Sequence, residues 1–249
     1  MRRFILLLTI LSAYVATAMA QTTGEGGVAS QQDATVQAVS IPKTDWLPTF
    51  NKVSVSGPMY ILFKRVATAD EAKIVYDTKG SATSRFRAAV NKNGVLQISE
   101  RFDSKTTLVT DVTVYYVALD EIKIDHSTAR FEEPVKSTLL DVAVSGGAVV
   151  TMDIDALDTF VECTGKSAIK MGGASRYFKL NVSTARIDAF PLQTVSADVN
   201  ASHGAEVRLS VEERLEAVTS TSAKLYYKGS PAILRNRNSL FGGEIAPAE

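Results

Sequence analysis

The sequence predicts an all-β protein, a single-stranded parallel β-helix (β-solenoid) with about 18–20 residues per coil. Three observations carry this expectation. Small residues return at a nearly constant interval, at Ser127, Ser145, Thr164, Ser183, Ser202 and Ser220, with separations of 18, 19, 19, 19 and 18. The residues ahead of each alternate apolar and polar, the period of a strand with one buried face. No stretch after residue 20 has helical periodicity beyond residues 211–215.

The chain opens with Met1-Arg2-Arg3, an apolar run over residues 4–15, and Ala18-Met19-Ala20 ahead of Gln21. A positive start, a short apolar core and a small-x-small site define a secretory signal peptide over residues 1–20, with cleavage expected after Ala20. The apolar run is shorter than the ~20 residues of a spanning helix, and no later segment is long and apolar enough, so no transmembrane segment is expected in the mature chain. Residues 21–45 are rich in Gln, Thr, Gly, Ala and Ser. They bury too little to offset their ordering entropy and read as a flexible leader.

The folded domain is expected over residues 46–240, followed by an irregular tail over 241–249. Its first part carries strand patterns without the small corner: Val53 and Val55, Tyr60 and Leu62, Ile74 and Tyr76, residues 86–90, Leu96 and Ile98, and residues 112–116. Asn93-Gly94 between two of these runs signals a tight hairpin turn. These strands are either earlier, less regular coils or a capping sheet.

From residue 121 the repeat takes over. One step before each corner an inward column reads His126, Val144, Cys163, Val182, Ala201 and Thr219; three steps before, it reads Ile124, Val142, Val161, Leu180, Val199 and Ala217. After each corner a second alternating run follows, such as Val150, Met152 and Ile154, or Val207, Leu209 and Val211. A hairpin meander would alternate too, but without a constant small corner. Repeats of this kind bury their apolar face by stacking, about 4.8 Å per coil. Outward, Asp141, Glu162, Lys179, Asp198 and Glu216 form one expected column. Asp153, Lys170, Asp188, Arg208 and Tyr226 form another, alternating in sign like a solvated charge ladder.

Composition excludes several functions. Lys plus Arg balances Asp plus Glu, 27 against 27, and no basic tract tracks phosphates, so nucleic acid is not an expected partner. A single cysteine rules out an intramolecular disulfide framework despite the export signal. Two separated histidines and one cysteine leave a zinc site almost no ligands, and no metal or cofactor is expected.

Each residue with chemical potential has a structural explanation. Cys163 lies in an inward column, where a free thiol is an inert filler. His126 occupies the same column and reads as a core histidine, and His203 as an exposed corner residue. No Ser-His-Asp arrangement can be built from two isolated histidines. Asp153, Asp155 and Asp158 form the strongest carboxylate cluster, and carboxyl pairs hydrolyse or eliminate glycans on other β-helices. Here Lys170 and Asp188 are the expected neighbours of Asp153. The sequons Asn181-Val182-Ser183 and Asn200-Ala201-Ser202 fall where the repeat demands serine. No catalytic residue is expected.

Residues 50–58 (Phe50-Asn51-Lys52-Val53-Ser54-Val55-Ser56-Gly57-Pro58), Gly94-Val95-Leu96-Gln97-Ile98, the small-Gly-x-Ala corners and Tyr226-Tyr227-Lys228-Gly229-Ser230-Pro231 resemble the GIN domain of auto-transporter adhesin heads, a family found largely in Bacteroidetes. The resemblance covers residues 46–240 and implies a β-helix with no catalytic residues to carry over. The chain has no room for a membrane barrel of its own. The corners at Ser127-Thr128-Ala129 and Ser183-Thr184-Ala185 depart from the pattern in lacking glycine. The expected function is a non-catalytic exported adhesin or envelope-organising protein, in the periplasm or at the cell surface, whose partner is an unknown surface glycan or protein. A carbohydrate-active β-helix enzyme (polysaccharide lyase or hydrolase) and a periplasmic scaffold are the alternatives.

Overall fold

A computed structural model describes residues 40–80, 85–101, 108–238 and 242–248. The signal segment, and the leader as far as residue 39, lie outside the described residues. Seventeen strands form one hydrogen-bonded sheet among the described residues. They are β1 Lys43–Trp46, β2 Lys52–Ser56, β3 Met59–Arg65, β4 Lys73–Asp77, β5 Arg87–Val90, β6 Val95–Ser99, β7 Thr110–Tyr116, β8 Glu121–Asp125 and β9 Thr128–Phe131. There follow β10 Val135–Ser145, β11 Val149–Cys163, β12 Ala168–Ser183, β13 Arg186–Ser202, β14 Glu206–Thr219, β15 Ala223–Lys228, β16 Ile233–Asn238 and β17 Gly243–Pro247. The expected parallel β-solenoid is the observed fold.

Each coil has an arm that leads into the small corner and an arm that leaves it. Nine parallel strands stack in the leading arm, in the spatial order β6, β2, β8, β10, β11, β12, β13, β14, β16. Nine stack in the leaving arm, in the order β7, β3, β9, β11, β12, β13, β14, β15, β17. Stacking puts like residues over like: Val142, Val161, Leu180 and Val199 are in direct register, and so are Val150, Ile169, Ile187, Val207 and Leu225. All are buried in one continuous apolar core. Each apolar side chain is covered by the coils on either side, so no coil could bury its face alone.

Long strands such as β11 and β12 are possible because the chain bends at mid-coil without losing its ladder. In β11 the inward residues are Val150, Met152 and Ile154, then Thr159, Val161 and Cys163; Leu157 and Asp158 intervene as two successive residues off the core. In β14, Glu212, Glu213 and Arg214 do the same between Val211 and Leu215. The sequence expectation of helical period at 211–215 is thereby corrected: the irregularity is this bend inside a strand. Hydroxyls hold it, with buried Thr159 Oγ1 2.9 Å from buried Ser175 Oγ, and half-buried Ser210 Oγ donating to the Phe190 carbonyl at 2.7 Å. Gly173 lies just ahead of the bend in β12, at φ +94°, and a Cβ there would sit 2.0 Å from the Ile154 carbonyl oxygen of the coil beside it.

The corners turn through the left-handed region. His126, Gly146, Gly165, Thr184, His203 and Thr221, each the residue after its corner position, have φ between 51° and 69°. Glycine adopts this freely, whereas a β-branched threonine is strained there.

Register corrects the first coil of the sequence reading. Asp125, not Ser127, is in register with Ser145, and Ile124, not His126, with Val144. The corner positions are Asp125, Ser145, Thr164, Ser183, Ser202 and Ser220, so the first interval is 20 rather than 18. His126 is exposed, and Ser127 is the buried residue, its hydroxyl donating to the Gly57 carbonyl.

Residues 46–120 are both coils and cap. Coil β2–β3 lies between coil β6–β7 and coil β8–β9, so the first coil in sequence is the second in space. Antiparallel β5 covers the outer edge of β6, and β4 and β1 continue beyond β7. The predicted hairpin joins β5 to β6 with Gly94 at φ 68°. In β3 the inward residues are Met59, Ile61 and Phe63, with Tyr60 outward. Phe63 stacks on Phe131 at 4.4 Å, and Tyr116 meets both rings edge-on.

The far end also differs from expectation. Gly243–Pro247 is a strand, not an irregular tail: it pairs with β15 and continues the inward column through Ile245. The edge of β15 supplies its partners, which a Gly- and Pro-bounded segment of low apolarity does not advertise. At the near end, Lys43 rather than Trp46 opens the folded region.

Candidate functional site

Cys163 is fully buried, and burial pushes its thiol up to about 12, so it is not an available nucleophile. His126 meets Asp125 instead of the core, with Nδ1 2.7 Å from Oδ2, while Ser145 Oγ donates to Asp125 Oδ1 at 2.7 Å. Burial acts to raise the Asp125 carboxyl, but the hydrogen bonds from Ser145 and His126 hold it below its usual value. Serine, histidine and aspartate thus meet at one corner, yet the serine proton points at the carboxylate rather than at the imidazole. The group fastens adjacent coils and lacks the serine-to-histidine bond of a nucleophilic triad. His203 Nδ1 likewise bridges Ser202 Oγ at 3.0 Å and Ser183 Oγ at 3.2 Å.

The Asp153, Asp155 and Asp158 cluster does not converge. Asp153 stands opposite Gly172, not Lys170, and Asp155 is 3.6 Å from Lys136. Asp158 lies past the mid-coil bend, in register with Leu139 and Tyr177. Among the described residues no group of three or more His, Cys, Asp and Glu could hold a metal ion.

The outward columns fall on two faces of different character. On the leaving arm, Arg186, Glu206, Lys224 and Glu244 are in register, beside Lys170, Asp188, Arg208 and Tyr226. Glu206 pairs with Arg208 at 2.8 Å and with Arg186 at 4.0 Å, and Lys224 lies 3.8 Å from Glu244. This is the solvated charge ladder expected from the sequence, with Thr151 in the place assigned to Asp153.

Among the described residues the leading-arm face is paired in charge only toward its ends, at Glu121 with Lys52 (3.0 Å) and Lys123 (2.5 Å) and at Glu216 with Arg214 and Arg235. Its centre is different. The column expected to read Asp141, Glu162, Lys179, Asp198 reads Asp141, Phe160, Lys179, Asp198: Phe160 stands four residues before its corner like the other three, and Glu162 only two. Glu162 belongs to the next column, with Asn181 and Asn200, whose amides join at 3.3 Å. Phe160 and Tyr177, which the sequence reading missed, therefore stand as diagonal neighbours on adjacent coils; their offsets of four and six residues from the corners were the available signal. Lys179 Nζ lies 5.9 Å from the Phe160 ring centre, and Arg176 Cζ lies 5.6 Å from that of Tyr177.

An open groove of about 430 Å³ runs here, lined by Leu139, Asp141, Asp158, Phe160, Tyr177 and Asp198 among others. Asp141 and Phe160 also line a neighbouring depression of about 220 Å³. That depression shares Glu162 with a third, of about 300 Å³, which reaches Asn181, Asn200 and Ser202. The three abut across the face.

Comparison with known proteins agrees with this architecture. A putative adhesin from Bacteroides fragilis superposes with a TM-score of 0.69 at 16% identity, covering 84% of this chain and 97% of that one. A putative adhesin from Parabacteroides merdae gives 0.63 at 14% identity, covering 84% and 96%. A structure from Parabacteroides distasonis described as a putative lipid binding protein gives 0.64 at 15% identity, covering 84% and 97%. No curated protein matches the chain. The family model "Putative auto-transporter adhesin, head GIN domain" matches residues 49–231, and the chain belongs to that family.

Proposed function

We propose that the protein is an exported, non-catalytic adhesin of the cell envelope that holds a surface molecule on the outer faces of a rigid solenoid. The observation that carries this is the leading-arm face, where aromatic, amide and carboxylate side chains, the central carboxylates without an ion pair among the described residues, lie in register along shallow open grooves. Family membership and the adhesin relatives support it. Export and a signal segment at residues 1–20 belong to the same reading. Among the described residues no helix is long and apolar enough to cross a membrane.

One observation favours a second reading. Asp141 and Asp158 project from adjacent coils on one groove, and diagonal neighbours lie roughly 7–8 Å apart, within the separation that inverting glycoside hydrolysis uses. Neither has the apolar enclosure that a general acid of this chemistry requires. A screen of the secreted protein against glycan and extracellular-matrix arrays, with saccharide cleavage followed in parallel, decides between them. Binding without cleavage is expected. Cleavage lost in Asp141→Asn or Asp158→Asn would overturn the non-catalytic reading.

A further inference from the structure

We infer that the centre of the leading-arm face is a binding platform for a neutral glycan chain, with Tyr177 and Phe160 as its stacking anchors. The inference rests on the adhesin reading and names its ligand class.

Four features of the face select the ligand. Tyr177 is 48% exposed and Leu139 62% exposed at the centre of the face, and Phe160 sits beside them, half-buried. Flat apolar rings held by cation contacts offer surface to the C–H face of a pyranose. Around the rings, Asp141, Asp158, Glu162 and Asp198 make no ion pair among the described residues. Together with Asn181 and Asn200 they supply acceptors and donors for sugar hydroxyls. Coils repeat every ~4.8 Å, a spacing close to the rise of one sugar residue in an extended glycan, so successive rings meet successive coils.

Charge then narrows the class. The four carboxylates face Lys179 and Arg176, both of which lie over the aromatic rings. The excess negative charge opposes uronate, sulfate and phosphate groups and tolerates neutral sugars. A peptide is the less suited occupant. Capture of an extended peptide uses a free sheet edge, and β10, β11, β12 and β13 are each paired on both sides.

The test is calorimetric titration of the whole secreted chain with cello- and chito-oligosaccharides as neutral probes, and heparin and polygalacturonate as acidic ones. The neutral probes should bind, and Tyr177→Ala or Phe160→Ala should weaken them by about tenfold or more. Tyr177→Phe should retain most of the affinity, and Lys170→Ala on the opposite face should change nothing. Thermal unfolding of each variant separates lost binding from lost folding. Preference for the acidic probes, no binding of either class, or neutral binding unchanged in both aromatic variants would overturn the platform. Capture of a protein ligand by wild type and Tyr177→Ala alike would overturn it while leaving the adhesin reading intact.

Discussion

The coils from β10 to β15 and the coils before them bury their residues by the same stacking, but they reach it by different routes. In the later coils the chain climbs one coil at a time, and each corner lies on the previous one after 18 to 20 residues. In the earlier part, β2–β3 is laid down first, β6–β7 is added on its outer side, and the chain then crosses back to place β8–β9 on its inner side. The crossing is fixed by Leu119, fully buried, and by Asp120, whose backbone N–H donates to the Asn51 carbonyl at 2.8 Å. A periodic sequence therefore marks sequential winding. Where coils are permuted, the same core forms without a periodic trace.

The largest expected effect lies in the sequential coils. Val161→Asp places an unpaired carboxylate in the stacked core at a fully buried position, which costs more than about 4 kcal/mol and should abolish cooperative unfolding by circular dichroism. A soluble, cooperatively folding variant would break the inward assignment. Leu119→Ala tests the crossing segment, and a loss of about 2–5 kcal/mol in denaturant titration is expected for deleting a fully buried leucine. A loss under 1 kcal/mol would mean that the crossing is not packed as described.

Between pH 9 and 10, alkaline pH offers a probe centred on the sequential coils. The Cys163 thiol is raised by burial from 9.0 to about 12, so above pH 9 the unfolded chain ionises and the folded one does not. Stability should fall by about 1.4 kcal/mol per pH unit above 9, until the folded value is reached. The Tyr116 hydroxyl, also raised by burial to about 12 from 10.0, adds the same sign from pH 10. Cys163→Ala should flatten the dependence between pH 9 and 10. The smallest effect is a gain: Thr221→Gly relieves a left-handed threonine at φ 51° and should stabilise by about 1 kcal/mol.

The contrast also explains what the sequence could tell. The fold class, the hairpin at Gly94 and the columns from Val142 onward were legible because stacking repeats the same burial at the same interval. His126 was misplaced because Ser127 mimics a corner two residues after the true one at Asp125, just where sequential winding begins. Phe160 and Tyr177 lie four and six residues before their corners, on the outward parity of Asp141 and Lys179; they escaped because charge alone draws the column through Glu162, two residues before its corner, instead of the uncharged Phe160. The pairing of Asp125 with His126 and Ser145 crosses coils, so no local spacing announces it. β17 was hidden because its partner edge, rather than its own composition, makes it a strand.

The central claim is one continuous stack in which β2 separates β6 from β8, and disulfide cross-linking in a Cys163→Ala background tests it directly. Ser54 is in register with both Gln97 and Lys123, at outward positions of adjacent strands. The pairs Ser54→Cys with Lys123→Cys, and Ser54→Cys with Gln97→Cys, should each oxidise readily, since neighbouring strands lie about 4.8 Å apart. The pair Gln97→Cys with Lys123→Cys spans two strand spacings, roughly 10 Å, and should stay reduced. Efficient cross-linking of Gln97→Cys to Lys123→Cys, with none between Ser54→Cys and Lys123→Cys, would show coils stacked in sequence order and contradict the account.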